Sequence, residues 1–310
     1  MPVTEALVSE IIENHLCTLK RRRPAVVEVA FYGGSFTGIP MAEQSGYLEI
    51  ASFYKRSGLV DKIHISTRPD YMDHRILANL QSHGVNTIEL GVQSFDDAVL
   101  EKANRGHNAA AARESGLMVS DYGFELGIQL MTGLPGDTAE KDVYSANELV
   151  KLKPSIARIY PTVVIEDTLL HDMYLTGEYT PPTLGESIDT VKAMYKIITV
   201  AGVNLIRIGL RSADLIKKAG AAFHPAFRQL VESELAKEAV SERIDEILTE
   251  SPCLKRSGGS IRLTANERFF SCLIGHRKSN KLYFVEKYPF LKFSYETDNT
   301  LADNQYVVLK

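Results

Sequence analysis

The alternation of apolar and polar residues along the first two thirds of the chain predicts repeated strand-and-helix units. Apolar runs rich in β-branched and aromatic residues predict strands over residues 26–32, 62–67, 87–92, 124–131, 157–164 and 203–208. Apolar residues three or four positions apart predict helices over residues 3–19, 46–56, 73–83, 97–104, 138–152 and 185–201. Strands that are apolar almost throughout and alternate with helices indicate a parallel sheet covered by helices, an α/β fold.

The alternation of predicted strands and helices ends near residue 212. Further helical patterns cover residues 213–219 and 225–249, and a glycine-rich turn at residues 257–260 precedes a β-leaning end. We therefore predict a barrel-like domain over residues 1–212 and a smaller α+β region over residues 213–310. Six strands suit either an open doubly wound sheet or a partial barrel, and the glycine and polar residues that follow the strands favour the partial barrel.

The composition excludes several classes of protein. The 310 residues are 45% hydrophobic and 24% charged, as in a folded chain with a full-sized core. No apolar run reaches the roughly 18 residues of a membrane span, and the first residues lack a secretion signal, so we predict a cytoplasmic location. Cys17, Cys253 and Cys272 are too scattered for a disulfide framework or a local metal site. Motifs of P-loop, α/β-hydrolase and zincin enzymes are absent.

Charge and aromatic residues concentrate in the last part of the chain. Residues 254–310 hold ten Lys and Arg against five Asp and Glu, a net charge of +5. Since the whole chain has a net charge of −4, residues 1–253 carry a net charge of −9. They also hold nine of the 26 Tyr and Phe residues. Cations that neutralise phosphates beside rings that stack on bases suit an RNA surface. A small sheet that buries its aromatic residues and leaves its charges in water has the same composition, and we favour that interpretation.

Glycine and polar residues follow the predicted strands where parallel sheets bind ligands. Gly33 and Gly34 leave backbone groups open to a carboxylate, an amino acid or a phosphate, although the same pair also makes an ordinary turn. Gln93 and Gln129 are amides in apolar strands, where each needs a partner, and together they suit ribose hydroxyls or an adenine edge. Arg105, one helix beyond Gln93, would bring a guanidinium to the same place for a carboxylate.

Five motifs, in this order along the chain, resemble one known family. They are Gly33-Gly34-Ser35-Phe36-Thr37-Gly38, Ile65-Ser66-Thr67-Arg68-Pro69-Asp70, Glu89-Leu90-Gly91-Val92-Gln93-Ser94-Phe95, Asn104-Arg105-Gly106-His107 and Gly127-Ile128-Gln129-Leu130-Met131-Thr132-Gly133-Leu134-Pro135-Gly136. The set resembles the radical S-adenosylmethionine superfamily, in the branch of the Elongator catalytic subunit and the oxygen-independent coproporphyrinogen III oxidases. The resemblance covers residues 3–210.

The resemblance implies a partial (β/α)6 TIM-like barrel that binds S-adenosylmethionine. It implies that the Gly33-Gly34-Ser35 motif holds the methionine amino group through the backbone. Gln93 and Arg105 would reach the methionyl carboxylate and the ribose end, and Gln129 would hold the ribose. The family's chemistry is the [4Fe-4S]-dependent reductive cleavage of this cofactor to a 5′-deoxyadenosyl radical. By analogy with Elongator, tRNA would bind through the basic, aromatic C-terminal region.

One departure from the family is large. This sequence has no CxxxCxxC loop, whose thiolates hold the cluster and which relatives carry before the helix predicted at residues 3–19. We therefore expect an N-terminally shortened radical-enzyme core that lacks the first barrel strand, has no metal ligands of its own and is inactive as it stands. An uncovered apolar edge at residues 26–32 invites pairing with another chain, so we also expect either a dimer through this edge or low solubility.

Two other functions remain open. A non-catalytic nucleotide- or RNA-binding module would use the same pocket and the same basic end. A conventional barrel enzyme such as an aldolase or isomerase would need a lysine or carboxylate at a strand end, and Glu89 and Glu125 lie within strands without an evident partner in the sequence. The patterns are equally compatible with porphyrin, RNA, peptide and small-metabolite substrates.

Overall fold

The computed structural model describes residues 3–19, 26–210, 218–220 and 223–310. The chain divides into two compact units. The first comprises Met1–Pro181, Met194–Ile208 and Lys218–Gly220, and the second comprises Pro182–Ala193, Gly209–Lys217 and Ala221–Lys310. The predicted domain boundary at residue 212 lies outside the described residues, as does most of the helix predicted at residues 213–219. The end of that prediction is wrong, because Lys218–Gly220 is a strand.

The secondary structure follows the predicted alternation. The strands are β1 (Glu28–Phe31), β2 (Lys62–Thr67), β3 (Thr87–Gln93), β4 (Glu125–Thr132), β5 (Ile156–Pro161), β6 (Val164–Ile165), β7 (Asn204–Ile208), β8 (Lys218–Gly220), β9 (Gly259–Ala265), β10 (Leu291–Thr297) and β11 (Tyr306–Leu309). The helices are α1 (Glu5–Thr18), α2 (Met41–Arg56), α3 (His74–Ser82), α4 (Asp97–Lys102), α5 (Ala109–Asp121), α6 (Ala139–Lys151), α7 (Leu169–Thr176), α8 (Leu184–Val200), α9 (Phe227–Glu250), α10 (Leu254–Ser257), α11 (Glu267–Ile274) and α12 (Ser279–Lys287).

Side-chain caps determine where several of these helices begin. Asp73 accepts a hydrogen bond from the backbone N–H of Ile76, and Asp96 accepts one from Val99. Asn108 caps α5 in the same way. Each cap satisfies a backbone donor that has no partner within its helix. The predicted strands and helices of the first unit are therefore present, with ends that differ by a few residues. Helices α5 and α7 are additional, and the strand predicted at residues 157–164 is divided into β5 and β6.

Six parallel strands form the sheet of the first unit, in the order β1-β2-β3-β4-β5-β7. The sheet curls into a half-barrel. A side chain on β5 crosses its concave side, where Arg158 Nη2 donates to the Tyr32 hydroxyl, 2.5 Å away, just after β1. The predicted partial TIM-like barrel is confirmed.

The two faces of this sheet differ in polarity. Ile63, Ile65 and Leu90 are completely buried on the helix-covered face. The concave face carries polar residues at alternate positions of the same strands, among them His64 and Glu89. The strands are thus apolar on one face only, because helices cover only that face.

In the second unit, helices α9, α11 and α12 pack with a three-stranded sheet in the order β10-β9-β11. Phe269, Phe284 and Tyr288 are buried, and the other six aromatic residues of this region pack partly buried against the same apolar clusters. The interpretation that these rings form a core is therefore correct. Several of them lie on α11 and α12, which the sequence patterns did not reveal.

Strand β1 is an edge of the six-stranded sheet. Its helix-facing residues Val29 and Phe31 pack against Val8 and Ile12 of α1. Among the described residues, no strand pairs with its outer edge. Pairing of this edge with a second copy stays a prediction. None of the described helices is both long enough and apolar enough to cross a bilayer.

Asp137, in the loop after β4, and Asp142, in the first turn of α6, form a pair of hydrogen-bonded carboxyl groups. Asp142 is 5% exposed. Its burial, and then the charge of Asp137, raise its pKa to about 10. Because the folded pKa lies above the unfolded value, the stability that this proton contributes is full below about pH 3.8 and is lost as the pH rises towards 10.

We predict that Asp142→Asn raises the free energy of unfolding at pH 8, by on the order of 1 kcal/mol or more, because the amide keeps the hydrogen bond without ionising. Near pH 4 the gain should vanish. Urea unfolding at both pH values measures this. The exposed Asp121→Asn serves as the control. Equal stabilities of wild type and Asp142→Asn at both pH values would show that Asp142 ionises normally.

Candidate functional site

The loop after β1 leaves backbone groups open to a ligand. Gly33 has a φ of +102°, a conformation that favours glycine. A Cβ atom added to Gly33 or Gly34 would meet nothing within 4 Å. Ser35 follows and leads into a short 3-10 turn, Phe36–Gly38. The predicted glycine motif is therefore an accessible stretch of backbone at the carboxyl end of the first strand.

The amide of Gln93, at the end of β3, meets that of Gln129 inside β4. Gln129 Nε2 donates to Gln93 Oε1 over 3.2 Å. Gln93 is 4% exposed and has a φ of 70°, at a point where the pairing of β3 with β4 shifts register. A left-handed backbone at a residue other than glycine costs about 1–2 kcal/mol, and such strain concentrates at functional sites. The two glutamines predicted to share a pocket are thus in contact.

Arg105 lies in the segment between α4 and α5 and is half-buried. Its Nε is buried and has no hydrogen-bond partner among the described residues. Burial lowers the pKa of the guanidinium, the neighbouring Arg68 lowers it further, and Asp70 opposes both. A buried guanidinium N–H without an acceptor is costly. Its surroundings suit an incoming carboxylate, the ligand predicted for this residue.

Arg68 and Asp70, which directly follow β2, lie close to the Arg105 segment. Arg68 donates to both carboxylate oxygens of Asp70, over 2.9 and 2.6 Å. A Cβ atom added to Gly106 would collide with Arg68 Nη2, so the Arg105 segment contacts this loop closely. His107 is buried, with Nε2 3.0 Å from the Val92 carbonyl oxygen. Sequence reasoning did not assign Arg68 and Asp70 to the site, although their place after a strand was a usable signal.

Of the six predicted residues, the structure brings Gln93 and Gln129 into contact. Gly33, Gly34 and Ser35 follow β1, Gln93 ends β3 and Gln129 lies within β4. Arg105 lies beyond α4, and His107, two residues later, contacts the Val92 carbonyl oxygen near the end of β3. The glycine loop joins the carboxyl edge of the sheet through β2, where the Thr37 and Thr67 hydroxyl oxygens are 2.6 Å apart. The arrangement combines open backbone, two amides and a cation, which suits a ligand with a charged amino-acid end and a sugar.

The two carboxylates that a conventional barrel enzyme would use are both paired. Glu89 Oε2 is 2.7 Å from Arg158 Nε. Burial raises the Glu89 pKa, against the opposing charge of Arg158. Glu125 accepts hydrogen bonds from Lys62 over 2.5 Å and from Thr87 over 2.9 Å, which lower its pKa. Ion-paired carboxylates away from the strand tips give no support to the aldolase or isomerase interpretation.

The cysteines do not fit an iron–sulfur cluster. Cys17 and Cys253 are exposed, and Cys272 is buried. Burial raises the pKa of the Cys272 thiol to about 11, which disfavours the thiolate that binds iron. In the part of the chain that the structure describes, no three His, Cys, Asp or Glu side chains are grouped to hold a metal ion.

Comparison with known proteins assigns the chain to a family. The Radical SAM superfamily matches residues 5–147, and the Radical_SAM C-terminal domain matches residues 154–237. The chain belongs to the radical S-adenosylmethionine superfamily, as its motifs predicted.

Its relatives include Elongator-type proteins. It is 34% identical over 130 residues to the tRNA uridine(34) acetyltransferase of Methanocaldococcus jannaschii, a match that covers 41% of this chain and 24% of that protein. It is 32% identical over 139 residues to Elongator complex protein 3 of Mus musculus, covering 44% and 25%. The matched part thus spans about a quarter of each relative.

A solved structure shares the fold. It is the archaeal Methanocaldococcus infernus Elp3 with an N-terminal deletion, which matches with a TM-score of 0.61 and 21% identity. The match covers 76% of this chain and 58% of that chain. This likeness supports the half-barrel architecture.

The left-handed backbone of Gln93 generates a prediction about stability. Gln93→Gly and Gln93→Ala both remove the amide that pairs with Gln129, but only glycine relieves the backbone strain. We expect the glycine variant to be about 1 kcal/mol more stable than the alanine variant in urea unfolding. At Gln81, which lies within α3, the order should reverse, because glycine weakens a helix. Equal stabilities of the two Gln93 variants would contradict the assigned strain.

Proposed function

We propose that this chain binds S-adenosylmethionine at the carboxyl edge of β1, β3 and β4. The Gly33-Gly34-Ser35 backbone receives the methionine amino group, Gln93 and Arg105 reach the methionyl carboxylate and the ribose end, and Gln129 holds the ribose. The buried Arg105 Nε without an acceptor, on the same sheet edge as a buried pair of amides, is the observation that carries the proposal. Family membership supports the identity of the ligand.

The family's chemistry needs two groups. Beside a [4Fe-4S] cluster, S-adenosylmethionine supplies a 5′-deoxyadenosyl radical by reductive cleavage. The three cysteines of this sequence do not fit such a cluster. We therefore assign to this chain only the binding and orientation of the cofactor, and we expect residues 1–310 alone to bind it without cleaving it.

The Arg105 assignment makes a prediction about binding. Arg105→Ala removes a charge-assisted contact with the methionyl carboxylate, which is worth about 1.5–3 kcal/mol, or roughly a 10- to 100-fold rise in Kd. Isothermal titration calorimetry with S-adenosylmethionine measures it. Arg113→Ala, on the outer helix α5, is the matched control. Equal affinities of wild type and Arg105→Ala would refute the assignment.

We further propose RNA as the macromolecular partner, with the cofactor bound by residues 1–212 and RNA by residues 213–310. Two relatives are named for tRNA modification or for Elongator. Arg277 and Lys278 support the location, because both are exposed on the loop before α12 and neither forms an ion pair with a described carboxylate. Since the aromatic rings of this region pack into its core, we propose phosphate contacts rather than base stacking.

The RNA proposal is tested by salt dependence. Changing Arg277 and Lys278 together to Gln should weaken tRNA binding and reduce the slope of log K against log salt by about 1.5 to 2. A control with equal charge loss changes Arg56 and Arg243, which already pair with Glu49 and Glu246. Filter binding over a range of salt concentrations measures both. Identical slopes for the two double variants would refute this location.

A further inference from the structure

A polar cluster on the concave face lies beside the cofactor site without belonging to it. We call it the inner cluster; its members are Tyr32, His64, Glu89 and Arg158. Arg158 is at its centre, with Nε 2.7 Å from Glu89 Oε2. Nη1 donates to the Tyr160 hydroxyl over 3.2 Å and Nη2 to the Tyr32 hydroxyl over 2.5 Å. Nη1 and Nη2 therefore have hydrogen-bond partners, on β5 and just after β1. Nε forms an ion pair with Glu89 on β3 but does not have the geometry of a hydrogen bond.

The ion pair with Glu89 holds the Arg158 side chain in one orientation. The Glu89 carboxylate is almost completely buried, so the guanidinium charge beside it compensates a large cost of desolvation. His64, also buried, approaches the same carboxylate from β2, with Nε2 3.7 Å from Glu89 Oε2. These contacts restrict the directions in which the Arg158 side chain can point.

Tyr32 connects the Arg158 side chain to the glycine loop, because Tyr32 directly precedes Gly33 in the chain. Its ring contacts His64 edge-on at 5.2 Å between centroids, and the Arg158 guanidinium lies 4.8 Å from the ring centroid. Burial raises the Tyr32 pKa to about 12, so the hydroxyl is protonated at neutral pH. The Tyr32 hydroxyl also lies 3.3 Å from His64 Nδ1. Tyr32 therefore contacts the other members of the inner cluster through hydrogen bonds to Arg158 and His64, a cation–π contact and a ring contact.

The glycine loop is attached at both ends and free between them. On its carboxyl side, Phe36 is buried and Thr37 donates to the Tyr71 carbonyl over 2.6 Å. Gly33 and Gly34 have no side chains, and a Cβ on either would touch nothing. On the amino side, the nearest side chain is that of Tyr32. Where the Gly33-Gly34 backbone lies thus depends on what holds Tyr32.

We propose that Arg158, oriented by Glu89, is a positioning residue that holds the Gly33-Gly34 backbone in place through the Tyr32 hydroxyl. The proposal rests on the proposed function, because it assigns the loop's fixed position to binding of the amino-acid end of S-adenosylmethionine. A purely structural role would stabilise the fold without acting on this loop.

The outer helices carry a matched set of contacts for comparison. Arg113 Nε donates to Glu148 over 2.8 Å, and its Nη2 donates to the Tyr144 hydroxyl over 3.1 Å. Tyr144 is 45% exposed and Tyr32 is 48% exposed. The Glu148, Arg113 and Tyr144 set therefore repeats the chemistry of Glu89, Arg158 and Tyr32 away from the glycine loop.

The first measurement needs no ligand. In protein labelled with ¹⁵N-glycine, the heteronuclear NOE of Gly33 and Gly34 should fall in Tyr32→Phe and in Arg158→Lys, as the loop becomes mobile on the nanosecond scale. Gly38 and Gly46 should not change, and Tyr144→Phe should leave Gly33 and Gly34 as in wild type. An unchanged NOE at Gly33 and Gly34 in Tyr32→Phe would overturn the proposal, whatever the protein binds.

The second measurement separates positioning from general damage. Calorimetry compares S-adenosylmethionine with 5′-methylthioadenosine, which lacks the amino-acid end. We expect Tyr32→Phe to weaken S-adenosylmethionine about tenfold and 5′-methylthioadenosine less than about twofold. Equal weakening of both ligands would overturn the role in binding the amino-acid end. A reduced NOE in a chain whose wild type binds neither ligand would instead refute the proposed function and leave the positioning of the loop established.

Discussion

Hydrogen bonding between six strands that all run in one direction brings the carboxyl ends of β1 to β5 and β7 to one edge of the sheet. Every group of the candidate site comes from this edge. Open glycine backbone, paired amides and a half-buried guanidinium belong to segments that are distant in sequence, and the parallel pairing alone places them on one side of the fold. The site is thus a consequence of topology, and its chemistry depends on which residues follow each strand.

The same topology leaves a concave face without helices, and polar residues occupy it. Glu89 pairs with Arg158, and Glu125 pairs with Lys62, each across one intervening strand. The Glu125–Lys62 pair is partly exposed, whereas the Glu89–Arg158 pair is buried. Burying such charges is costly unless they are paired, so the Glu89–Arg158 pair restricts the two side chains that form it. In this fixed orientation, the Arg158 guanidinium donates a hydrogen bond across the concave face to the Tyr32 hydroxyl. A cluster that contributes little net stability can in this way determine where a neighbouring loop lies.

The rings of the second unit pack inward and most of its charges lie at the surface, where Lys281 and Lys287 cover the faces of Tyr295 and Tyr288. Phe284 and Tyr288 pack in the core of the small sheet and its helices, while Arg277 and Lys278 lie in solvent. A surface of this kind can neutralise phosphates but offers few free rings to bases. The aromatic residues and the basic residues that suggested nucleic-acid binding therefore have different roles in the folded chain. The rings form the core of the second unit, and the cations lie on its surface.

Local pattern by itself determined most of the fold of the first unit. Apolar runs and helical spacing depend on neighbours in sequence, so they located the strands β1 to β5 and β7 and most of the helices between them. The same patterns placed Gly33 after a strand, Gln93 at the end of a strand, Gln129 inside a strand and Arg105 one helix beyond Gln93. Helices α5 and α7 were not predicted, because α5 is rich in Ala and α7 has only eight residues. Helices α11 and α12 were not predicted, because their aromatic residues are typical of strands. Only the tertiary structure decided the left-handed backbone of Gln93, the partner of Glu89 and the attachment of Tyr32, because each depends on contacts between residues far apart in the chain.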